Sequence, residues 1–294
     1  HRHSSSRAMP SWLETAAPFL FQMSEDRTHI ELPPAVDQIM IDVGARRSVG
    51  LAMLRQPSHA NASLFMFEPS FDAFAPLQLE SMRVASVESR FGKYDKAQGE
   101  LLGVRAQRRA FAIQAAVSDS EHMTMLRLAH QRSAACSSIL RTHAKLLPCV
   151  KTRALVPVPV IRLDSLLKLL PTRLKWTVLK VDAEGNDMAV LRGAGPLLSQ
   201  FNGVIIECQN LPSGQDKRML HTGGCVVKEA TAFMCQQHGF CEHRFVPQSA
   251  STGKSVRIQL GNVYFGKTQT ALTDCMRSGI TEEATRGFFR LQHA

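Results

Sequence analysis

Leu179-Lys180-Val181-Asp182-Ala183-Glu184-Gly185-Asn186-Asp187-Met188-Ala189-Val190-Leu191-Arg192-Gly193-Ala194 decides the fold of this chain. The apolar run from Trp176 to Val181 has the length and β-branched content of a strand covered on both faces of a parallel sheet. Asp182 and Glu184 follow at once, and from Met188 onward the apolar spacing becomes helical. Open α/β sheets bind ligands outside the carboxyl ends of their strands. A strand that ends in acids and passes straight into a helix therefore marks the edge of an active site.

The same succession recurs on either side. Gln38 to Val43 reads as a strand ended by Gly44, and Leu64 to Phe67 as a second strand ended by Glu68. Ala110 to Val117 is a third, followed by Ser118-Asp119, and Gly203 to Glu207 follows the quoted stretch as a fifth. Cys241 to Phe245 and Val256 to Phe265 suit two last strands, while Met123 to Leu128 suits a pair with Leu155 to Leu163. Helices are expected from Phe71 to about Arg90, with Pro76 delaying or kinking the start, and from a cap at Asp164 through Leu170. Two more are expected over Met188 to Leu198 and over Val226 to His238, the latter stopped by Gly239. This alternation predicts one doubly wound α/β domain over 32–267, with an appended arm over 1–31 and a tail over 268–294 that has helical potential near Glu282 to Leu291. Weak helical spacing also occurs around Trp12 to Phe21.

The chain has 294 residues, 44% of them hydrophobic, enough for a sizeable core. No apolar run approaches the roughly 18 residues that span a bilayer, so the chain reads as soluble and cytoplasmic. It begins at His1 rather than Met, which leaves room for an upstream targeting segment. Seven scattered cysteines, an odd number, make reduced thiols the expectation in a chain of this size. The net charge of +10 is concentrated in 141–180, where nine Lys and Arg face Asp164 alone. Such a field suits an anionic partner. Trp176 is the one aromatic residue in that segment able to stack on a base, which makes nucleic acid an unlikely partner.

Three requirements define an adenosyl-binding edge on such a sheet: a turn that lets backbone approach, an acid for the ribose hydroxyls, and a pocket for the base. Gly44 meets the first, and Glu68, 24 residues on, meets the second. Asp182, Glu184 and Glu207 end neighbouring strands and are the candidate acids and bases, although Asp182 and Glu184 also suit simple capping of the following helix. No metal is expected. Cys235, His238, Cys241 and His243 lie within nine residues but match no common zinc spacing, and Thr252-Gly253-Lys254-Ser255 lacks the earlier glycine of a phosphate loop.

Five motifs in order carry a resemblance. Asp42-Val43-Gly44-Ala45, Phe67-Glu68-Pro69, Ala116-Val117-Ser118-Asp119, Leu163-Asp164-Ser165-Leu166 and Lys180-Val181-Asp182-Ala183-Glu184-Gly185-Asn186-Asp187 together resemble the FkbM-type family of S-adenosylmethionine-dependent methyltransferases. The resemblance implies a Rossmann-like seven-stranded sheet in the order 3-2-1-4-5-7-6. It implies cofactor contacts from Asp42, Gly44, Ala45 and Glu68, with Ser118 and Asp119 bordering the adenine. It also implies methyl transfer to a hydroxyl on a sugar or other small metabolite. Arg46 and Ser48 stand where the family turn has Asn and Gly. That departure supports an alternative, a degenerate methyltransferase fold serving as a binding or scaffolding module. Acceptor identity and oligomeric state have no legible motif.

Overall fold

The computed structural model describes residues 22–26, 28–46, 49–88, 109–129, 137–141, 152–211, 219, 221, 223–247 and 260–277. In chain order its elements are β1 (Gln22–Met23), β2 (Ile30–Glu31), β3 (Gln38–Val43), α1 (Val49–Leu54), β4 (Ala62–Phe67), α2 (Phe71–Glu88), β5 (Ala110–Ile113), β6 (Ala116–Ser118), β7 (His122–Ala129) and β8 (Thr152–Arg162). Then come α3 (Leu163–Leu167), β9 (Lys175–Val181), α4 (Asp187–Ala194), β10 (Gly203–Gln209), α5 (Val227–His238), β11 (Glu242–Pro247) and β12 (Leu260–Gly266). A further helical run, α6, covers 269–277.

Seven strands form the central sheet in the order β11-β12-β10-β9-β3-β4-β5. β10, β9, β3, β4 and β5 run parallel, and β12 joins β10 and β11 antiparallel. Chain order reverses between β3 and β9, which opens a crevice at their carboxyl ends.

Alternation along each strand builds two cores. Ile39, Ile41 and Val43 of β3 and Phe65 and Phe67 of β4 join one apolar cluster with residues of α3, α4 and α5. Met40, Leu64 and Met66 point the other way, into a cluster with α1, Leu77 of α2, and Leu272 and Cys275 of α6. Both faces of the sheet are thus buried under helices, which is why its strands are nearly continuous apolar runs. Ile30 and Val36 also belong to the first cluster, and the Ile30 amide donates to Leu169 O at 2.7 Å, so the end of the expected arm is tied to the domain.

The expected third strand is two. Ala115 N donates to Ile113 O at 3.0 Å, a tight turn that leaves β5 in the main sheet and sends β6 into a second sheet of order β6-β8-β7. Ser118 therefore ends a strand of the small sheet, and Asp119 follows it. β7 and β8 pair antiparallel, as their apolar runs predict. α2 begins at Phe71 and carries Pro76 inside it, with Leu77 buried and Phe71 and Leu79 exposed. Asp164 is not the cap of α3. Arg162 holds the N-cap position, and Asp164 lies in the first turn, where its carboxylate takes Arg162 Nε at 2.9 Å and Lys168 Nζ at 2.6 Å. Burial raises the Asp164 pKa, but these hydrogen bonds outweigh it and hold the carboxyl below its ordinary range. α5 ends as expected at Gly239, with φ at 75°. The expected helices near Trp12 and Glu282, Cys136, Cys149 and the Thr252 to Ser255 segment lie outside the described residues.

The expectation of reduced thiols is overturned. Cys208 is bonded to Cys225, and Cys235 to Cys241, while Cys275 is free and buried. The local Cys and His cluster is thereby accounted for as a helix-end crosslink. Cys208–Cys225 joins positions 17 apart, and a loop of that size constrains the unfolded chain by about 3 kcal/mol. The Cys208→Ser, Cys225→Ser double variant should unfold in urea with a stability lower by about that amount.

Candidate active site

Strand pleat brings the acids together. Asp42 and Lys180 are Cα partners in the β3–β9 ladder, and Ile205 partners Lys180 in the β9–β10 ladder. Side chains two apart share a face. Asp42, Glu68, Lys180, Asp182 and Glu207 accordingly project from the α1 side of the sheet at its carboxyl edge.

At the centre of this edge lies a buried ion pair. Lys180 Nζ sits 3.2 Å from Asp42 Oδ1 and 3.7 Å from Asp182 Oδ2, with the Lys180 and Asp42 side chains 5% and 1% exposed. The other Asp42 oxygen accepts from Gly50 N at 2.9 Å, inside α1. A Cβ on Gly50 would come within 2.8 Å of that oxygen, so glycine is what lets the amide reach it. Removing one partner of such a pair leaves an uncompensated buried charge. Lys180→Met should cost about 3–5 kcal/mol by urea denaturation, and Asp42→Asn, Lys180→Met together less than Lys180→Met alone.

The turn after β9 is locked from three sides. Asp187 Oδ1 and Oδ2 accept from Ala183 N at 2.8 Å and Gly185 N at 3.0 Å. Asn186 Nδ2 donates to Val117 O at 2.8 Å, and Ser138 Oγ to Glu184 O at 2.7 Å. Held this way, Glu184 adopts φ 49°, the one positive φ among described residues other than glycine. Strain of this kind persists only where surroundings impose it, and it clusters at functional sites. Asp182 and Glu184 do not cap α4: its N-cap is Asn186, with no side-chain cap bond. Asp187 shapes the turn instead. Burial first, and then the charge of Asp182, pushes its carboxyl up to about 7.

Glu207 completes the group from β10. Burial, followed by the charges of Asp182, Glu184 and Asp187, raises its carboxyl well above the ordinary range, and Lys180 opposes the shift. Crowding of the carboxylates thus raises proton affinity at this edge, a condition that general acid and base chemistry uses. Sequence reasoning missed His221. This residue is 5% exposed, and its Nε2 lies 4.0 Å from Glu184 Oε2. Burial lowers its imidazole to about 4. A lone His in a segment without periodicity carries no signal in sequence.

The other end of the edge holds Gly44, Ala45 and Glu68. Gly44 N and Ala45 N donate to Phe67 O at 2.9 and 3.1 Å. Gly44 has φ +74°, and a Cβ there would fall 1.8 Å from Asp182 O. Its first duty is therefore close packing of the β3 turn on β9. Glu68 is 5% exposed, and its Oε1 accepts from Ser70 N at 2.8 Å. Burial pushes Glu68 up to about 7. The Ser70 amide and Arg46 pull it down, while Asp182 and Asp42 push it up. Ser48 lies outside the described residues.

Ser118 and Asp119 are held against α4 and Arg162. Asp119 Oδ2 pairs with Arg192 Nε at 3.1 Å, its carbonyl accepts from Arg162 Nη1 at 2.9 Å, and Ser118 O packs on Gly193 of α4. Among the described residues, no hydrogen bond or ion pair joins them to Gly44 or Glu68. No cluster of His, Cys, Asp and Glu among the described residues is arranged to hold a metal ion.

A mixed sheet whose order reverses beside an acidic carboxyl edge defines an α/β protein of the kind that binds ligands at the switch point. A model of the methyltransferase FkbM domain matches residues 42–242, most of the chain, and the chain belongs to the FkbM methyltransferase family. Among solved structures it is similar to the crystal structure of methyltransferase FkbM from Methylobacillus flagellatus KT, at 10% identity and a TM-score of 0.43, over 84% of this chain and 48% of that one. The chain spans about half the length of that neighbour. No curated protein matches it.

The Glu68 carboxyl sets a pH dependence. Its folded value is raised above the unfolded one, so the folded state binds the extra proton and loses stability as pH rises from about 4.5 to about 7. Glu68→Gln should flatten this segment of the profile and exceed the parent chain at pH 8 by ~3 kcal/mol. Urea denaturation at pH 5 and pH 8 measures the difference.

Proposed function

We propose that this chain transfers a methyl group from S-adenosylmethionine to a hydroxyl of a sugar or other small metabolite. The observation that carries the reading is the convergence of Asp42, Glu68, Asp182, Glu184 and Glu207 on one crevice, against Lys180 and Arg46. Net negative charge there suits a cationic cosubstrate. Asp42, Gly44, Ala45 and Glu68 would hold it, with Glu68 accepting from its ribose hydroxyls and Arg46 facing its carboxylate. Ser118 and Asp119 would border the adenine, with Asp119 steadied by Arg162 and Arg192.

S-adenosylmethionine supplies a methyl group already activated by its sulfonium charge. This chain's residues then have two tasks, to align an oxygen in line with that methyl and to take its proton. Asp182, Glu184 and Glu207 stand at adjoining strand ends for the second task. As the acceptor oxygen forms its bond to carbon, its proton passes to one of these carboxylates and the departing sulfur becomes a neutral thioether. A small acceptor is favoured over nucleic acid because five of the seven described cations of the basic segment are already engaged. Arg162 and Lys168 bind Asp164, Arg153 binds Asp72, Arg173 binds Val36 O, and Lys180 is buried on Asp42.

Arg46 favours a second reading, a decayed site that serves as a binding module. Restoring Asn at Arg46 and Gly at Ser48 separates the two, since it strengthens cofactor binding in a decayed turn and weakens it in a turn adapted to arginine. Charge-assisted hydrogen bonds contribute roughly 1.5–3 kcal/mol each. Glu68→Ala should therefore weaken S-adenosylmethionine binding tenfold or more by calorimetry, and in the parent chain affinity should rise with pH through about 7 as Glu68 ionises. Unchanged affinity in a folded Glu68→Ala variant removes the cofactor assignment.

A further inference from the structure

His221 enters the acidic edge from outside the strand ends, and the fold takes care over its placement. The Cys208–Cys225 disulfide ties the chain just after His221 to β10, beside Glu207. Gln209 N donates to Cys225 O at 2.9 Å, and Gln209 and Val226 form a bridge, so the return of this segment is fixed a second time. Leu211, Met219 and Val226 make a small apolar cluster beneath it. A turn closed by Gly224 N on His221 O at 3.1 Å then sets the ring against Gly185. Only glycine leaves room there: a Cβ on Gly185 would lie 2.4 Å from the His221 Cβ.

In this position the imidazole can do one thing. It is buried, and Nδ1 has no hydrogen-bond partner. Burial keeps the ring neutral down to about pH 4, so it retains a single N–H. Nε2 faces Glu184 Oε2 at 4.0 Å, and a proton on Nε2 rather than Nδ1 is the tautomer stabilised by that carboxylate. The distance exceeds a hydrogen bond but is within one rotamer adjustment of Glu184, whose side chain is 30% exposed. Catalytic hydrogen bonds are commonly long without substrate and tighten with it. Asp182, Asp187 and Glu207 crowd the same region from β9, α4 and β10, with Lys180 as the near cation. A neutral donor aimed at one of these carboxylates distinguishes it from the rest.

We propose that His221 is a positioning residue for the proton-transfer step: its Nε2–H fixes the Glu184 carboxylate toward the acceptor hydroxyl, so that Glu184 rather than Glu207 receives the proton. The inference rests on the methyl-transfer reading above, and deepens it by dividing roles among the three candidate carboxylates. Without His221, Glu184 should lose its orientation and hold a proton to higher pH, while the cofactor end of the edge, at Glu68, is untouched.

The test uses the full oxidised chain, S-adenosylmethionine, and the small-molecule fraction of a cell extract as acceptor source, with release of S-adenosylhomocysteine as the readout. His221→Ala should reduce turnover tenfold or more, keep calorimetric S-adenosylmethionine affinity within twofold, and move the acidic limb of the rate profile to higher pH. His221→Gln, which places an amide donor near the Nε2 position, should recover turnover to within about threefold of the parent. Equal losses in His221→Ala and His221→Gln, or a fall in cofactor affinity matching the fall in turnover, would reduce His221 to packing on Gly185 and overturn the proposal. Should His221→Ala fail to fold, Glu184→Gln and Glu207→Gln decide, because the proposal requires the larger loss in Glu184→Gln. If the parent chain neither binds S-adenosylmethionine nor releases product, the methyl-transfer reading falls and this inference with it, an outcome distinct from failure of the His221 variants alone.

Discussion

The ion pair between Lys180 and Asp42 is the constraint on which the carboxyl edge depends. A lysine in the middle of a sheet is costly to bury, and its attraction to one carboxylate does little more than offset that cost. What it contributes is register. With Asp42 opposite Lys180, the β3 and β9 ends finish level, the Gly44 turn packs on the Asp182 carbonyl, and the Gly50 amide brings α1 onto the same carboxylate. A slip of one residue would turn Lys180 into the layer filled by Leu179 and Val181, with no acid to meet it. The polar pair thus selects one alignment of the two strands between which the crevice opens.

Much of the frame was legible because it follows from periodicity. Strands buried on both faces are apolar throughout, so Gln38 to Val43, Leu64 to Phe67 and Trp176 to Val181 stand out, and Gly239 ends α5 by the backbone conformation that glycine permits. The third strand was misjudged because its apolar residues continue across the turn at Ala115, where one hydrogen bond diverts the chain between sheets. Nothing in hydropathy marks that diversion. Asp164 was misjudged for another reason: a capping acid and an ion-paired acid look alike until Arg162 and Lys168 are placed.

Within the site, residue type was legible and role was not. Asp182, Glu184 and Glu207 could be placed at strand ends from sequence, and the structure sets them within electrostatic reach of one another. Asp187 carries no separate signal in the sequence, yet it organises the turn that holds Glu184 at positive φ. The burial of Glu68, which no pattern in the sequence shows, pushes its carboxyl up to about 7. His221 was invisible, since its position comes from a crosslink, a small apolar cluster and a glycine, each distant from it in pattern although close in space.

The Cys208–Cys225 bond has a further consequence, for how the molecule matures. Sheet order and ion-pair register arise from noncovalent physics alone, whereas the bond that draws the segment around His221 back to β10 requires two electrons to be removed by an outside acceptor. Assembly of this polypeptide is therefore a folding reaction followed or accompanied by a chemical one. Its completion depends on the thiol poise of the compartment in which it is made. One amino-acid sequence can accordingly exist as two molecular species of the same topology, one with Cys225 bound covalently to β10 and one without.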